Sequence, residues 1–443
     1  MRTHLHLFAA LFASSVATSQ TLVGPAGSGA AFNEIQPAID AASAGDTIYV
    51  SPGTYLPFQL SKPLRLIGAG PESVLVEDPS LSTCWMGFSA AEITDLPANS
   101  QTIVAGMSMR GPAPASVFQS CYCLRADGNQ GVLVLHNLEI ETPQAAVDLY
   151  QNEFVVVSNS VFAAEYPAGV AVTGLWQQGA GMRVLDSNAW ITDSELRGLG
   201  QTGLDEPIFG FPGLHVINSN AYVARSSIHG GDGGVAAVGA CAGHSGYPGA
   251  PGIIVAGGSF LQLAGDTADR VVAGEGADYG TCSGAGAPAV LVNGAGFVIR
   301  SGGVAMVPSE TQGIMEAEVH TPNGGTELTA QQPLPTLSQS VTNNYLTLKF
   351  RGEANWNVML FASLGASTPI QFSDVQGAGA LDPTQVLFLL PTVLDANGAL
   401  DVVFPLPTSS ALNGLSVYFQ FLQKEPGADT KALSNLAATV LGS

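Results

Sequence analysis

Asp193, Glu195 and Arg225 come nearest, by type and spacing, to catalytic chemistry in this 443-residue chain. Glycoside hydrolysis needs two carboxyl groups, about 5–5.5 Å apart to retain configuration or about 6.5–9.5 Å apart to invert it. Asp193 and Glu195 are two residues apart on one predicted strand, which puts their Cα atoms roughly 6.5–7 Å apart. Arg225 holds the position equivalent to Asp193 one repeat later, where an ordinary cross-rung ion pair would also account for both. No stack of acids supports them. In the following repeats Asp193 gives way to Arg225 and Leu263, and Asp186 to Asn218 and Ala256.

Three other sets of residues suggest binding. Trp190, Tyr222, Phe260 and Phe297 recur once per repeat, and Ala189, Ile191, Ala221 and Val223 read as the inward set between them. Alternation would then turn the rings outward as a stacking platform for sugars. The alternative is a row that faces inward, or one that lies under an inserted loop or a second domain. The Gly-rich insertions carry Asp232, Asp266, Asp269, Glu275 and Asp278, oxygen donors of the kind Ca²⁺ prefers. They match no established calcium loop, and solvated turns explain them as well. Cys241 and Cys282 lie in successive insertions and are candidates for a disulfide, while Cys84 has Cys121 and Cys123 as possible partners. His215 and His229 have no carboxylate or cysteine at metal spacing.

The repeats must position all of these. Gly181-MRVLDSNAWITDSELRG-Leu199 is followed by Gly213-LHVINSNAYVARSSIHG-Gly231 at a spacing of 32 residues. Related runs begin at Gly252 and Ala289. Superposition stacks Ser187 on Ser219 and Asn188 on Asn220, a ladder that would satisfy backbone groups at the bends. Upstream, Ile35, Ala38, Ile39 and Ala42 have helical spacing. Asn33 is the expected N-cap, with Gln36 in capping-box position, Pro37 in the first turn and Gly45 as terminator. Short strands follow at Thr47–Val50, around Leu64–Leu66 and at Val74–Val76. Such short strands suit a solenoid whose end the helix plugs.

The succession AIDAA, GDTIYV, PGTY and KPLRLIGAG resembles the N-terminal cap and first coils of right-handed parallel β-helix proteins of the pectin-lyase-like superfamily. The resemblance is close over about 45 residues and looser as far as Val307. It implies an all-β, right-handed parallel β-helix with an N-terminal helical cap. It also implies two enzymatic options, a polysaccharide lyase or a glycoside hydrolase. In a lyase that uses Ca²⁺ and an arginine base, Arg225 and Asp193 would be the candidates. The family's catalytic motifs do not recur here, so no residue carries over from them.

After about Pro308 the repeat stops. Alternating apolar runs at Leu346–Phe350, Val386–Leu390, Leu400–Phe404 and Leu415–Phe421 predict a small antiparallel β-sandwich. The expected division is 1–19 signal peptide, 20–307 β-helix, 308–340 linker or transition and 341–443 sandwich. The opening residues have a short apolar run behind Arg2, with Ala17 and Ser19 before a cut at Gln20. The chain has 14 Lys+Arg against 35 Asp+Glu, a formal charge of −21. That acidity opposes nucleic acid and anionic membranes as partners.

Together these readings predict a secreted or cell-surface protein whose partner is a polysaccharide or cell-surface glycan, with no cofactor required unless Ca²⁺ binds the acidic loops. The leading expectation is a non-catalytic binder or surface builder, and the alternative is a polysaccharide lyase or hydrolase with a diverged site.

Overall fold

In this computed structural model the described residues are 19–78, 88–111, 122–142, 145–164, 179–200, 209–234, 248–265, 268–276, 278–279, 282–301, 303–311, 314–330, 334–342, 344–406 and 414–441. Residues 1–18 of the proposed leader and Cys84, Cys121, Cys241 and Asp266 lie outside them.

Strands pair in parallel with the equivalent strand of the next repeat, which makes the fold a parallel β-helix. Each full coil has three strands. The first column of strands runs from Gln20–Val23 to Thr326–Thr329, and the second from Gly53–Tyr55 to Ala305–Val307. The third column is a nine-stranded sheet from Phe58–Leu60 to Val319–His320. Parallel pairing therefore continues past Val307, beyond the expected end of the coil. The extra rung is short and framed by glycines, so its alternation is weak in the sequence.

Alternation sets the core. Ala189, Ile191, Ala221 and Val223 point into the coil and join one apolar cluster that runs from Val23 to Val304. Burial of these small and branched side chains is the main stabilising term.

The helix spans Ile35–Ala41 and buries Ile35, Ala38 and Ile39 against the first coils. Its N-cap is Glu34 and not Asn33, with no side-chain capping bond, and its C-cap is Ala42. The side chains suited to capping are used elsewhere. Gln36 accepts from the Gln59 amide at 2.6 Å, and Glu34 accepts from the Leu56 amide at 2.9 Å. Both bonds tie the helix to the chain that follows it. Gly45, with φ of 88°, serves the turn before Thr47.

Two columns of left-handed turn residues bend the coil. One contains Asn137, Asn159, Asp193 and Arg225, with φ of 49–53°. The other contains Gln151, Asp186 and Asn218, with φ of 48–53°. Asparagine, aspartate and glycine tolerate this region best. A serine follows Asn159, Asp193, Arg225, Asp186 and Asn218, while Leu138 follows Asn137 and Asn152 follows Gln151. The Ser194 hydroxyl accepts from the Ser160 amide at 3.2 Å, as Ser226 does from Ser194. At the other bend Ser219 accepts from the Ser187 amide at 3.0 Å. The asparagine ladder forms too, with the Asn220 amide donating to Asn188 Oδ1 at 2.8 Å.

From Thr336 the pairing becomes antiparallel. Strands Thr336–Thr342, Tyr345–Arg351 and Ala399–Pro405 form one sheet. A second, five-stranded sheet centres on Asn357–Ser363 and Ser416–Lys424. Leu346, Leu348 and Phe350 of the first sheet meet Leu360, Phe419 and Phe421 of the second in one core, the arrangement of a sandwich. This sandwich folds back onto the coil. Tyr418, Leu436 and Val440 share an apolar cluster with Ile67, Val134, Val156, Trp190 and Tyr222 on the outer face of the first column.

Candidate functional site

The structure brings Asp193 and Arg225 together. Both are turn residues in adjacent coils, and Arg225 Nε donates to Asp193 Oδ1 at 2.8 Å. The next residue in their column is Gly265 and not the expected Leu263, because Ala224 pairs with Ala264 and Leu263 with Val223. Likewise Asn218 leads to Gly257 and not to the expected Ala256, since Ile217 pairs with Ala256. The Asp193 side chain is 14% exposed. Burial pushes its carboxyl up, with Arg225 opposing the shift. Its second oxygen, Oδ2, is buried and has no protein partner.

Glu195 lies past the bend, at the start of Glu195–Arg197, and its carboxylate accepts from Arg197 Nε at 2.7 Å. His229, one coil on, stands 3.9 Å from the same oxygen. Burial lowers the pKa of His229, with Glu195 opposing the shift. Each of the two acids thus has its own arginine. Asp193 sits in the bend and Glu195 begins the strand after it, so the flat-strand spacing expected for a glycosidase pair does not apply.

The aromatic row exists, but its register differs from the expected one. Trp190 pairs with Tyr222, whereas Phe260 pairs with Asn220 and Phe297 with Phe260. Ser259 aligns with Ser219, so the repeat is shifted by two residues relative to an alignment on the rings. A two-residue shift keeps all four rings on one face. Trp190 and Tyr222 stack at 4.6 Å, Tyr222 meets Phe260 at 5.7 Å, and Phe260 stacks on Phe297 at 5.9 Å. The rings point out of the coil, yet Trp190 is 1% and Tyr222 5% exposed. The sandwich covers them. Neither offers an open face to a sugar, while Phe260 and Phe297 are half-buried.

For the metal candidates, Asp232 accepts from the Glu275 amide at 2.8 Å, an ordinary loop contact. Asp269 packs against Gly265. Asp278 starts a two-residue strand. Among the described residues no three His, Cys, Asp or Glu side chains lie close enough to hold a metal ion. The Cys241–Cys282 pairing falls outside the described residues through Cys241.

A charged row was missed in the sequence. On the outer face of the third column, Glu92, Arg125, Asp148, Arg183 and His215 follow one another in register. Arg183 grips the buried Asp148 through Nε at 2.6 Å and a second nitrogen at 3.0 Å. Its guanidinium also sits 5.0 Å from the centre of the Tyr122 ring. Burial raises the Asp148 pKa against the pull of Arg183, and burial together with Arg183 pulls His215 down to about 4. The sequence does align Arg183 with His215. Asp148 is hidden because its strand, Ala145–Tyr150, is not followed by the Ser-Asn turn. Alternating signs in adjacent coils neutralise one another, and with Asp148 2% exposed the row braces the sheet.

Two clefts remain. One, of about 390 Å³, opens on the second column beside Glu72, Arg110, Glu139 and Glu141. The other, of about 730 Å³, lies where the coil meets the sandwich.

No family model and no curated protein matches the chain. Among solved structures it is similar to full-length tailspike protein 2 of the Escherichia coli O157:H7 bacteriophage CAB120, with 12% identity and a TM-score of 0.28, covering 93% of this chain and 61% of that one. It is also similar to the enzymatically active domain of bacteriophage CBA120 tailspike protein 2, with 12% identity and a TM-score of 0.26, covering 93% and 68%. This chain thus spans about three fifths of the full-length tailspike. The parallel coil itself rests on the strand register described above.

Proposed function

We propose that the chain is an exported β-helix protein, secreted or held at the cell surface, that binds a polysaccharide or cell-surface glycan without catalysis or helps build that surface. One observation carries the non-catalytic part. Asp193, in the bend, and Glu195, at the start of the strand after it, are each closed on an arginine, at 2.8 and 2.7 Å. A general acid and a nucleophile must both be free to reach the scissile bond, and each of these carboxylates is held by an arginine. The formal charge of −21 supports a neutral partner over a polyanion. No cofactor is called for.

The alternative, a polysaccharide lyase or glycoside hydrolase, is favoured by the smaller cleft. Glu139 and Glu141 are two apart on the strand Val132–Thr142 and line that cleft together, with Arg110 in register beside Glu141. Same-face residues on a strand are roughly 6.5–7 Å apart, a spacing that suits inversion.

The test is incubation with panels of neutral and uronate-containing polysaccharides, assayed for retention and for new reducing or unsaturated ends. Retention without release is expected. Release that disappears in Asp193→Asn or Arg225→Ala would overturn the non-catalytic reading at the first site, and release that disappears in Glu139→Gln would establish the alternative.

A further inference from the structure

We infer that the larger cleft, between coil and sandwich, is the glycan site, and that it takes a neutral oligosaccharide and rejects acidic ones. This rests on the glycan-binding reading above and adds a place and a selectivity to it.

The cleft is built from both halves of the chain. The coil contributes the starts of neighbouring first-column strands, where Gln101, Val132 and Phe154 are in register. The sandwich contributes the turn around Gly365 and the segment Asp382–Gln385. The halves are held at fixed spacing around it. Gln101 donates to the Tyr418 hydroxyl at 2.6 Å, and the Thr368 hydroxyl donates to Glu153 at 2.7 Å. Ligand sites favour such junctions, and about 300–1,000 Å³ is the usual range for a small-molecule site. The volume of about 730 Å³ falls within it.

The lining selects the ligand. The partly exposed Val132, backed by the buried Phe154, gives an apolar floor, and the walls carry side-chain amides, hydroxyls and the carboxylates of Glu153 and Asp382. Among the described residues no Lys, Arg or His lines it. A sugar ring presents the matching surface, with apolar C–H faces and a rim of hydroxyls that donate to carboxylates and exchange bonds with amides. Phosphate, sulfate or uronate groups would meet two acids and no cation. Asp382 is already fixed, since it accepts from the Thr384 amide at 2.9 Å and from Gln385 Nε2 at 2.6 Å. Those bonds hold its carboxyl below the usual range despite partial burial, so it stays an acceptor. A site set in advance loses little entropy on binding.

The experiment uses the full chain against an array of neutral and acidic oligosaccharides, followed by titration calorimetry on the best neutral hit with EDTA and with Ca²⁺. The variants are Gln130→Trp, which projects a bulky ring from an exposed position into the cleft, and Gln130→Ala, which only removes an amide; thermal melts check that both fold. The expected result is binding to neutral glycans irrespective of Ca²⁺, weakened at least tenfold by Gln130→Trp and less by Gln130→Ala. Neutral-glycan binding that survives Gln130→Trp would overturn the cleft assignment and leave the glycan reading standing. Binding confined to acidic glycans, or dependent on Ca²⁺, would overturn the selectivity. Failure to bind any glycan would overturn the inference together with the reading beneath it.

Discussion

Trp190 stacks on Tyr222 at 4.6 Å with the rings 10° from parallel, and the pair lies beneath the sandwich. A row that could have served as a platform for sugars is instead part of the joint between the two halves of the protein. Covered aromatic pairs of this kind combine large area burial with a specific ring contact. The sandwich is therefore a packed partner of the coil rather than a module at the end of a linker.

Trp190→Ala should accordingly destabilise the protein by ~3–5 kcal/mol, the usual cost of emptying a large core site. The loss should appear as a lower melting temperature and as faster proteolysis between the two halves. An unchanged melt would mean that the sandwich does not bear on this ring.

Arg225 has φ of 53° in a column otherwise suited to asparagine and aspartate. Its ion pair with Asp193 offsets a backbone conformation that disfavours side chains with a Cβ. Arg225→Ala loses the pair and keeps the strain, whereas Arg225→Gly loses the pair and relieves it. The glycine variant should be the more stable by ~1 kcal/mol in denaturant unfolding. The reverse order would place the role of Arg225 in the side chain alone.

The coil was legible because its evidence is local. Alternation at Ala189–Ile191 and Ala221–Val223 separates inside from outside, and the helical spacing from Ile35 to Ala42 marks the cap. Register was harder. Aligning Phe260 with Tyr222 by ring type displaced it by two residues, and Ser259 beneath Ser219 was the truer guide because the serine hydroxyl is fixed by the backbone it bonds, at 3.1 Å. The covering of Trp190 by Tyr418 and Leu436 could not be read. Contact between residues more than two hundred positions apart leaves no periodicity in either segment. The bond between Thr368 and Glu153, which helps shape the larger cleft, is hidden in the same way.

His136 gives the protein a pH dependence. It is buried, its Nδ1 lies 2.8 Å from the Ser158 hydroxyl, and burial pulls its pKa down to about 4. The unfolded chain binds the proton with a pKa near 6.5. The stability it contributes is thus fully present above about pH 6.5 and is lost as pH falls towards 4, by an amount on the order of 3 kcal/mol. Asp148 and Asp193, with raised values, act in the opposite sense, so the comparison is made against His136→Gln, in which they are unchanged. Unfolding free energy measured from pH 7 to pH 4 should fall less steeply in the variant. Parallel curves would mean that His136 does not titrate differently in the two states.

The serine ladder predicts a local loss. Ser194 accepts from the buried Ser160 amide at 3.2 Å and donates to the Thr192 carbonyl at 2.7 Å, so its hydroxyl closes two bonds at a bend where the strand ladder is interrupted. Ser194→Ala leaves the Ser160 amide without an acceptor, a cost of about 1–3 kcal/mol. Ser227→Ala is the control, because the hydroxyl it removes is only partly buried and contacts His229 on the outer face. The control should change stability by no more than about 0.5 kcal/mol. Amide exchange separates a local effect from a global one. The Ser160 amide should exchange faster in Ser194→Ala by more than the loss of overall stability accounts for. Equal acceleration across the coil would show that the hydroxyl acts through general packing and not through the bond to Ser160.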